Sequence, residues 1–74
     1  MATKAKVMAV LKKQGIIPEF DGFEFYASLP DGFVWQNGFD CGSVTQEKYD
    51  GETWAEFWDN VLMIIDAPIV KEGN

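Results

Sequence analysis

The sequence predicts a small α+β domain: a two-layer sandwich in which a helix, a three-stranded antiparallel meander and a second helix follow one another (αβββα). Three observations lead to this prediction. Apolar residues recur with helical spacing near both ends of the chain, they alternate with polar residues in the middle, and Asp-Gly and Asn-Gly pairs divide that middle part. We therefore expect residues 1–74 to form one domain, with both helices on one face of the sheet.

The first predicted element is a helix from Thr3 to Gln14. Val7, Val10 and Leu11 fall on one stripe of a helical wheel, and the lysines of this segment lie mainly on the other side. The Thr3 hydroxyl is suited to cap the first turn. Gly15 is typical of the position that follows the last turn of a helix.

Three strands are predicted next, at residues 23–29, 33–36 and 39–45. Turns at 30–32 and 37–38 would join them, because Asp-Gly and Asn-Gly accept positive φ at low cost. The face toward the helices is expected to carry Phe23, Phe25, Leu29, Phe33 and Trp35. The opposite face would then carry Glu24, Tyr26, Ser28, Val34, Gln36, Phe39 and Cys41.

The second helix is predicted to begin after Thr53, because Thr53 and Glu56 have the spacing of a capping box before an apolar run. It should end near Asp66, since Pro68 disfavours helical geometry in the residue before it. Residues 67–74 could form a flexible tail. For residues 69–74, a short edge strand and partial disorder both remain open.

The composition argues against most catalytic mechanisms. The chain contains no histidine, which removes the commonest general base and metal ligand. Cys41 is the only cysteine, so neither an internal disulfide nor a zinc site is expected. We predict no enzyme, cofactor or metal, and a pair of carboxylates acting as a hydrolase is the alternative that sequence leaves open.

The location and several partner classes also follow from composition. No apolar run is long enough for a signal peptide or a membrane span, which predicts a cytoplasmic protein without a membrane partner. Arginine is absent and the net charge is −6. A field of that sign repels phosphates, so direct nucleic-acid binding is not expected.

The charge is unevenly distributed. Residues 1–18 contain four lysines and no acid, whereas the rest of the chain contains all twelve acids against Lys48 and Lys71. The hypothesis is an acidic surface that binds a basic surface of another protein, in the manner of a nucleic-acid mimic. The alternative is an ordinary solvated surface. The candidate residues are Glu24, Asp31, Asp40, Glu47, Glu56 and Asp59.

A second hypothesis concerns the sheet face opposite the helices. Tyr26, Val34 and Phe39 would form an exposed apolar group there, and such groups often mark interfaces. A structural or assembly protein that forms a homo-oligomer through this face is therefore the alternative function. A one-residue slip in strand register would instead turn these side chains into the core.

In size, acidity and helix–meander–helix plan, the chain resembles small phage-encoded proteins, anti-CRISPR inhibitors among them. The resemblance is one of general plan and involves no motif. It implies an inhibitor that acts by binding another protein.

Overall fold

The computed structural model describes residues 2–72. Two helices and five short strands form a compact α+β domain, so the predicted class is confirmed. In chain order the elements are α1 (Lys4–Lys13), β1 (Glu19–Phe20), β2 (Glu24–Ser28), β3 (Phe33–Trp35), β4 (Ser43–Glu47), α2 (Trp54–Ile65) and β5 (Ile69–Lys71).

Both helices begin and end where their capping residues predict. The Thr3 hydroxyl oxygen accepts a hydrogen bond from the Lys6 amide at 3.2 Å. The capping box before α2 is complete, because the Thr53 Oγ1 accepts from the Glu56 amide and the Glu56 carboxylate accepts from the Thr53 amide, each at 3.1 Å. Helix α2 ends at Ile65, with Asp66 as its cap.

The strands do not form the predicted meander, because they are divided between two antiparallel sheets. One sheet has the order β1-β2-β4, and the other pairs β3 with β5. The predicted neighbours β2 and β3 therefore lie in different sheets. In place of that pairing, β2 pairs along its length with β4, and the Leu29 amide beyond its end donates to the Gly42 carbonyl at 2.9 Å.

The burial of β3 explains why it leaves the first sheet. Val34 and Trp35 are consecutive residues, and both are buried. Neighbouring residues of a strand point to opposite faces, so β3 needs cover on both faces, which a meander with one open face would not supply. Trp35 enters the main core, whereas Val34 lies against Gly42, where an added Cβ would be 4.0 Å from its Cγ1.

Two of the five residues predicted to face the helices are wrongly placed. Phe25, Leu29 and Trp35 are buried as predicted. Phe23 is 52% exposed, because it lies in the β1–β2 turn before the strand begins, and Phe33 is also exposed. The third strand is displaced as well, since β4 begins at Ser43 and not at residue 39.

Helix α2 packs against β4 of the three-stranded sheet, and α1 packs against α2. At one end the Ala2 amide donates to Asp59 Oδ1 at 2.7 Å. At the other end the Gln14 side chain donates to the Ile65 carbonyl at 2.9 Å and accepts from the Trp35 indole at 3.2 Å. Gln14 therefore joins the end of α1 to the end of α2 and to β3.

Of the two alternatives for the C-terminal segment, the structure supports the short strand at Ile69–Lys71, which pairs with β3. Gly73 and Asn74, also part of the predicted tail, lie outside the described residues. Within residues 2–72, neither helix is long and apolar enough to cross a membrane.

Candidate functional site

The outer face of the β1-β2-β4 sheet, opposite the helices, is acidic. Tyr26 lies at its centre, directly opposite Glu19 of β1 and Thr45 of β4. Glu24 and Glu47 face each other at the end of β2 and β4. All five residues are exposed, and we call this set the acidic sheet face.

The strand register brings Glu24 and Glu47 close together. The Lys48 amide donates to the Phe23 carbonyl at 3.0 Å, which makes these two residues a hydrogen-bonded pair of the ladder. Pairs of the two types alternate along antiparallel strands, so Glu24 and Glu47 form a non-hydrogen-bonded pair, the type in which side chains are closer. Two like charges directly opposite each other destabilise a sheet.

A shallow depression of about 220 Å³ extends the acidic sheet face around β1. It is lined by Glu19, Phe20, Asp21, Glu24 and Tyr26. Asp21 Oδ1 accepts from the amides of Glu24 at 2.7 Å and of Phe23 at 2.9 Å, and this fixes the turn between β1 and β2. These hydrogen bonds to the carboxylate hold the pKa of Asp21 below its ordinary value.

Two lysines lie on the helix side of the sheet, next to aromatic rings. The Lys4 ammonium is 5.1 Å from the centre of the Phe20 ring, and the Lys48 ammonium is 5.3 Å from that of Trp54. Phe20 and Lys48 follow Glu19 and Glu47, so their side chains point toward the helices. The strand geometry therefore separates these two lysines from the acidic sheet face.

The other predicted acidic residues do not join Glu24 and Glu47. Asp31 lies in the turn after β2, and Asp40 lies in the loop before β4 with a positive φ of 54°. Glu56 and Asp59 have structural contacts, since Glu56 belongs to the capping box and Asp59 accepts from the Ala2 amide. The structure thus brings together two of the six predicted acidic residues, Glu24 and Glu47, and places Glu19 and Asp21 near them.

The predicted apolar face does not form. Tyr26 is exposed on the sheet as expected, at 40%. Val34 is only 5% exposed, so its predicted exposure is wrong, because β3 is covered on both faces. Phe39 is 83% exposed but lies in the loop between β3 and β4, where its amide donates to Asn37 Oδ1 at 3.0 Å.

A second pocket, which the sequence did not predict, lies on the helix side of β1. It also measures about 220 Å³ and is lined by Lys4, Phe20, Gly22, Trp54 and Trp58. We call it the aromatic pocket. The Asp21-Gly22 turn signal preceding an apolar strand could have indicated that residues 19–20 pair back onto β2 and bring Phe20 to the helices.

The chemistry available at these surfaces is that of carboxylates and aromatic rings. Among residues 2–72, no group of three or more His, Cys, Asp or Glu side chains is arranged to hold a metal ion. Cys41 is partly buried, and its carbonyl accepts a 2.7 Å hydrogen bond from the Trp35 amide. Carboxylates on an open sheet face are suited to contact cationic groups.

Comparison with known proteins assigns no family to this chain. No protein-family model matches it, and no curated protein or solved structure matches it significantly.

Proposed function

We propose that this protein acts by binding, without catalysis, and that its acidic sheet face contacts a basic surface of a partner protein. The observation that carries the proposal is the Glu24–Glu47 pair on neighbouring strands. A like-charge pair costs stability, so its presence on an exposed face is better explained by binding than by folding.

The separation of charge supports the same proposal. Glu19, Glu24 and Glu47 point away from the helices, whereas Lys4 and Lys48 lie against aromatic rings on the helix side. A face with one sign of charge attracts an oppositely charged protein and speeds its association. If the partner's basic surface is a nucleic-acid-binding groove, the protein competes with nucleic acid and acts as an inhibitor of the phage type.

The depression around β1 indicates how a basic side chain would be held. Glu19, Asp21, Glu24 and Tyr26 line it together with Phe20. A lysine or arginine side chain has a cationic head for the carboxylates and an apolar stem for the Tyr26 ring. We expect one such side chain of the partner to occupy this depression.

Self-association through an apolar sheet face has less support. Of Tyr26, Val34 and Phe39, only Tyr26 lies on the outer face of a described sheet with an exposed side chain. Its neighbours on the two adjacent strands are polar, Glu19 and Thr45. Stacking two copies face to face would bring their glutamates together, which opposes association.

The proposal can be tested with a defined basic probe. A deca-arginine peptide is titrated into labelled protein, and amide shifts are followed by NMR at 50 and 500 mM NaCl. We expect the largest shifts at residues 19–26 and 43–47, and a dissociation constant that rises at least about tenfold at the higher salt. Glu24→Lys should weaken binding several-fold, whereas Asp31→Lys, with the same charge change at the far end of β2, should not.

Two results would refute the proposal. The first is binding that does not respond to salt. The second is equal weakening by Glu24→Lys and Asp31→Lys, which would show that only net charge matters. Once a partner is isolated, its affinity for nucleic acid should fall when the wild-type protein is added and should recover with Glu24→Lys.

A further inference from the structure

The aromatic pocket has an apolar floor formed by neighbouring rings. The Phe20 ring centre is 5.1 Å from that of Trp58 and 6.2 Å from that of Trp54, and the two indoles are 6.3 Å apart. Trp54 remains 44% exposed even though it contacts this cluster. Exposed aromatic surface of this kind is typical of a binding site.

The turn between β1 and β2 leaves the pocket open. Gly22 has a φ of 94° and no heavy atom within 4 Å of the position of a Cβ. Other residues seldom adopt this conformation, and Gly22 borders the pocket with backbone atoms alone. A cavity of about 150 Å³ holds a benzene molecule. The pocket, at about 220 Å³, therefore has room for one large apolar side chain.

The charges around the pocket are positive. Lys4 is one of the five lining residues, none of which is an acid. Its ammonium lies over Phe20, and the Lys48 ammonium lies over Trp54. The glutamates of β1 and β2 point to the opposite face of the sheet. An occupant with a carboxylate beside its apolar group would complement this rim.

We propose that the aromatic pocket binds an apolar side chain that stands next to a carboxylate, as in an acidic peptide segment with one aromatic anchor. The ring packs on the floor formed by Phe20 and the two tryptophans, and the carboxylate approaches Lys4. This site lies on the other side of β1 from the acidic sheet face and does not depend on the function proposed for that face.

Three small probes that share a phenyl ring separate the apolar contribution to binding from the contribution of charge. Phenylacetate, phenylacetamide and phenethylammonium are titrated into the labelled protein, and the Gly22 amide and the indole N–H groups of Trp54 and Trp58 are followed by NMR. For ligands of this size, we expect phenylacetate to bind with a dissociation constant on the order of millimolar. It should bind about two- to fivefold more tightly than phenethylammonium, with phenylacetamide between them.

Two variants test the role of the lysine. Lys4→Gln should bring the affinity for phenylacetate down to that for phenylacetamide, while the neutral probe still binds. Lys13→Gln removes the same charge from the other end of α1 and should change neither affinity. Shifts confined to other residues, tighter binding of the cation than of the anion, or an unchanged anion preference in Lys4→Gln would each overturn the proposal.

Discussion

Reversal of one charge in the Glu24–Glu47 pair should stabilise the protein. The two side chains are directly opposite in a non-hydrogen-bonded pair, where Cβ atoms are about 4.5–5.5 Å apart. Removing the repulsion and adding an attraction each contribute about 0.2–1 kcal/mol. Glu24→Lys should therefore raise the free energy of unfolding by about 1 kcal/mol. In a domain of this size that corresponds to an increase in Tm of about 4–8 °C.

Urea denaturation of a double-mutant cycle measures this coupling. Glu24→Lys and Glu47→Lys should each stabilise the protein, and the double variant should lose the gain, because two lysines then face each other. The coupling free energy should be about 2 kcal/mol. Asp31→Lys combined with Glu24→Lys is the matched control, since it has the same net charge without a facing pair and should be additive.

Salt provides an independent check on the same variants. At 1 M NaCl the Debye length is about 3 Å, so the coupling between residues 24 and 47 should shrink toward zero. An additive Glu24→Lys/Glu47→Lys double variant at low salt would refute the argument, because it would show that the two side chains do not interact. Destabilisation by both single variants would refute it equally.

Three further predictions concern single residues. Gln14→Ala should lower the free energy of unfolding by about 1–3 kcal/mol in urea denaturation, because the buried Trp35 indole N–H loses its acceptor; a loss below about 0.5 kcal/mol would contradict the importance of this hydrogen bond. Thr53→Ala should lower the free energy of unfolding by about 1 kcal/mol in the same assay. Thr3 caps α1 without a reciprocal glutamate, so a loss in Thr53→Ala no larger than that in Thr3→Ala would contradict the importance of the full capping box. The pKa of the Asp21 carboxyl, measured by NMR, should lie below its ordinary value. Its contribution to stability is then complete above the unfolded-state pKa and is lost as the pH falls through the folded-state pKa. Asp21→Asn should remove that part of the pH dependence of stability, and an ordinary pKa for Asp21 would refute the assignment.

Local signals in the sequence were sufficient for the helices and for one strand. Capping residues and apolar spacing predicted both helices to within a residue or two, because these interactions join residues three or four positions apart. The alternation of Phe25 and Ala27 with Glu24 and Tyr26 also predicted the two faces of β2. Tyr26 and Glu24 were therefore correctly assigned to an exposed face.

Strand pairing could not be read from such local signals. Asp-Gly turns predicted where the chain reverses, but not that β2 would pair with β1 and β4 while β3 paired with β5. Pairing between distant segments depends on which arrangement buries all apolar side chains at once. Here β5 and Cys41 pair with the two edges of β3, while Trp35 is buried in the main core and Val34 is buried near Gly42.

The sequence by itself determined the acidity of this protein, its two helices, and its lack of histidine and arginine, since these follow from composition and short-range spacing. Only the tertiary structure decided which acids act together. It placed Glu24 opposite Glu47 through strand register, assigned Glu56 and Asp59 to structural contacts, and brought Phe20 to Trp54 and Trp58. These contacts join residues far apart in the chain, so their formation depends on how the whole core packs.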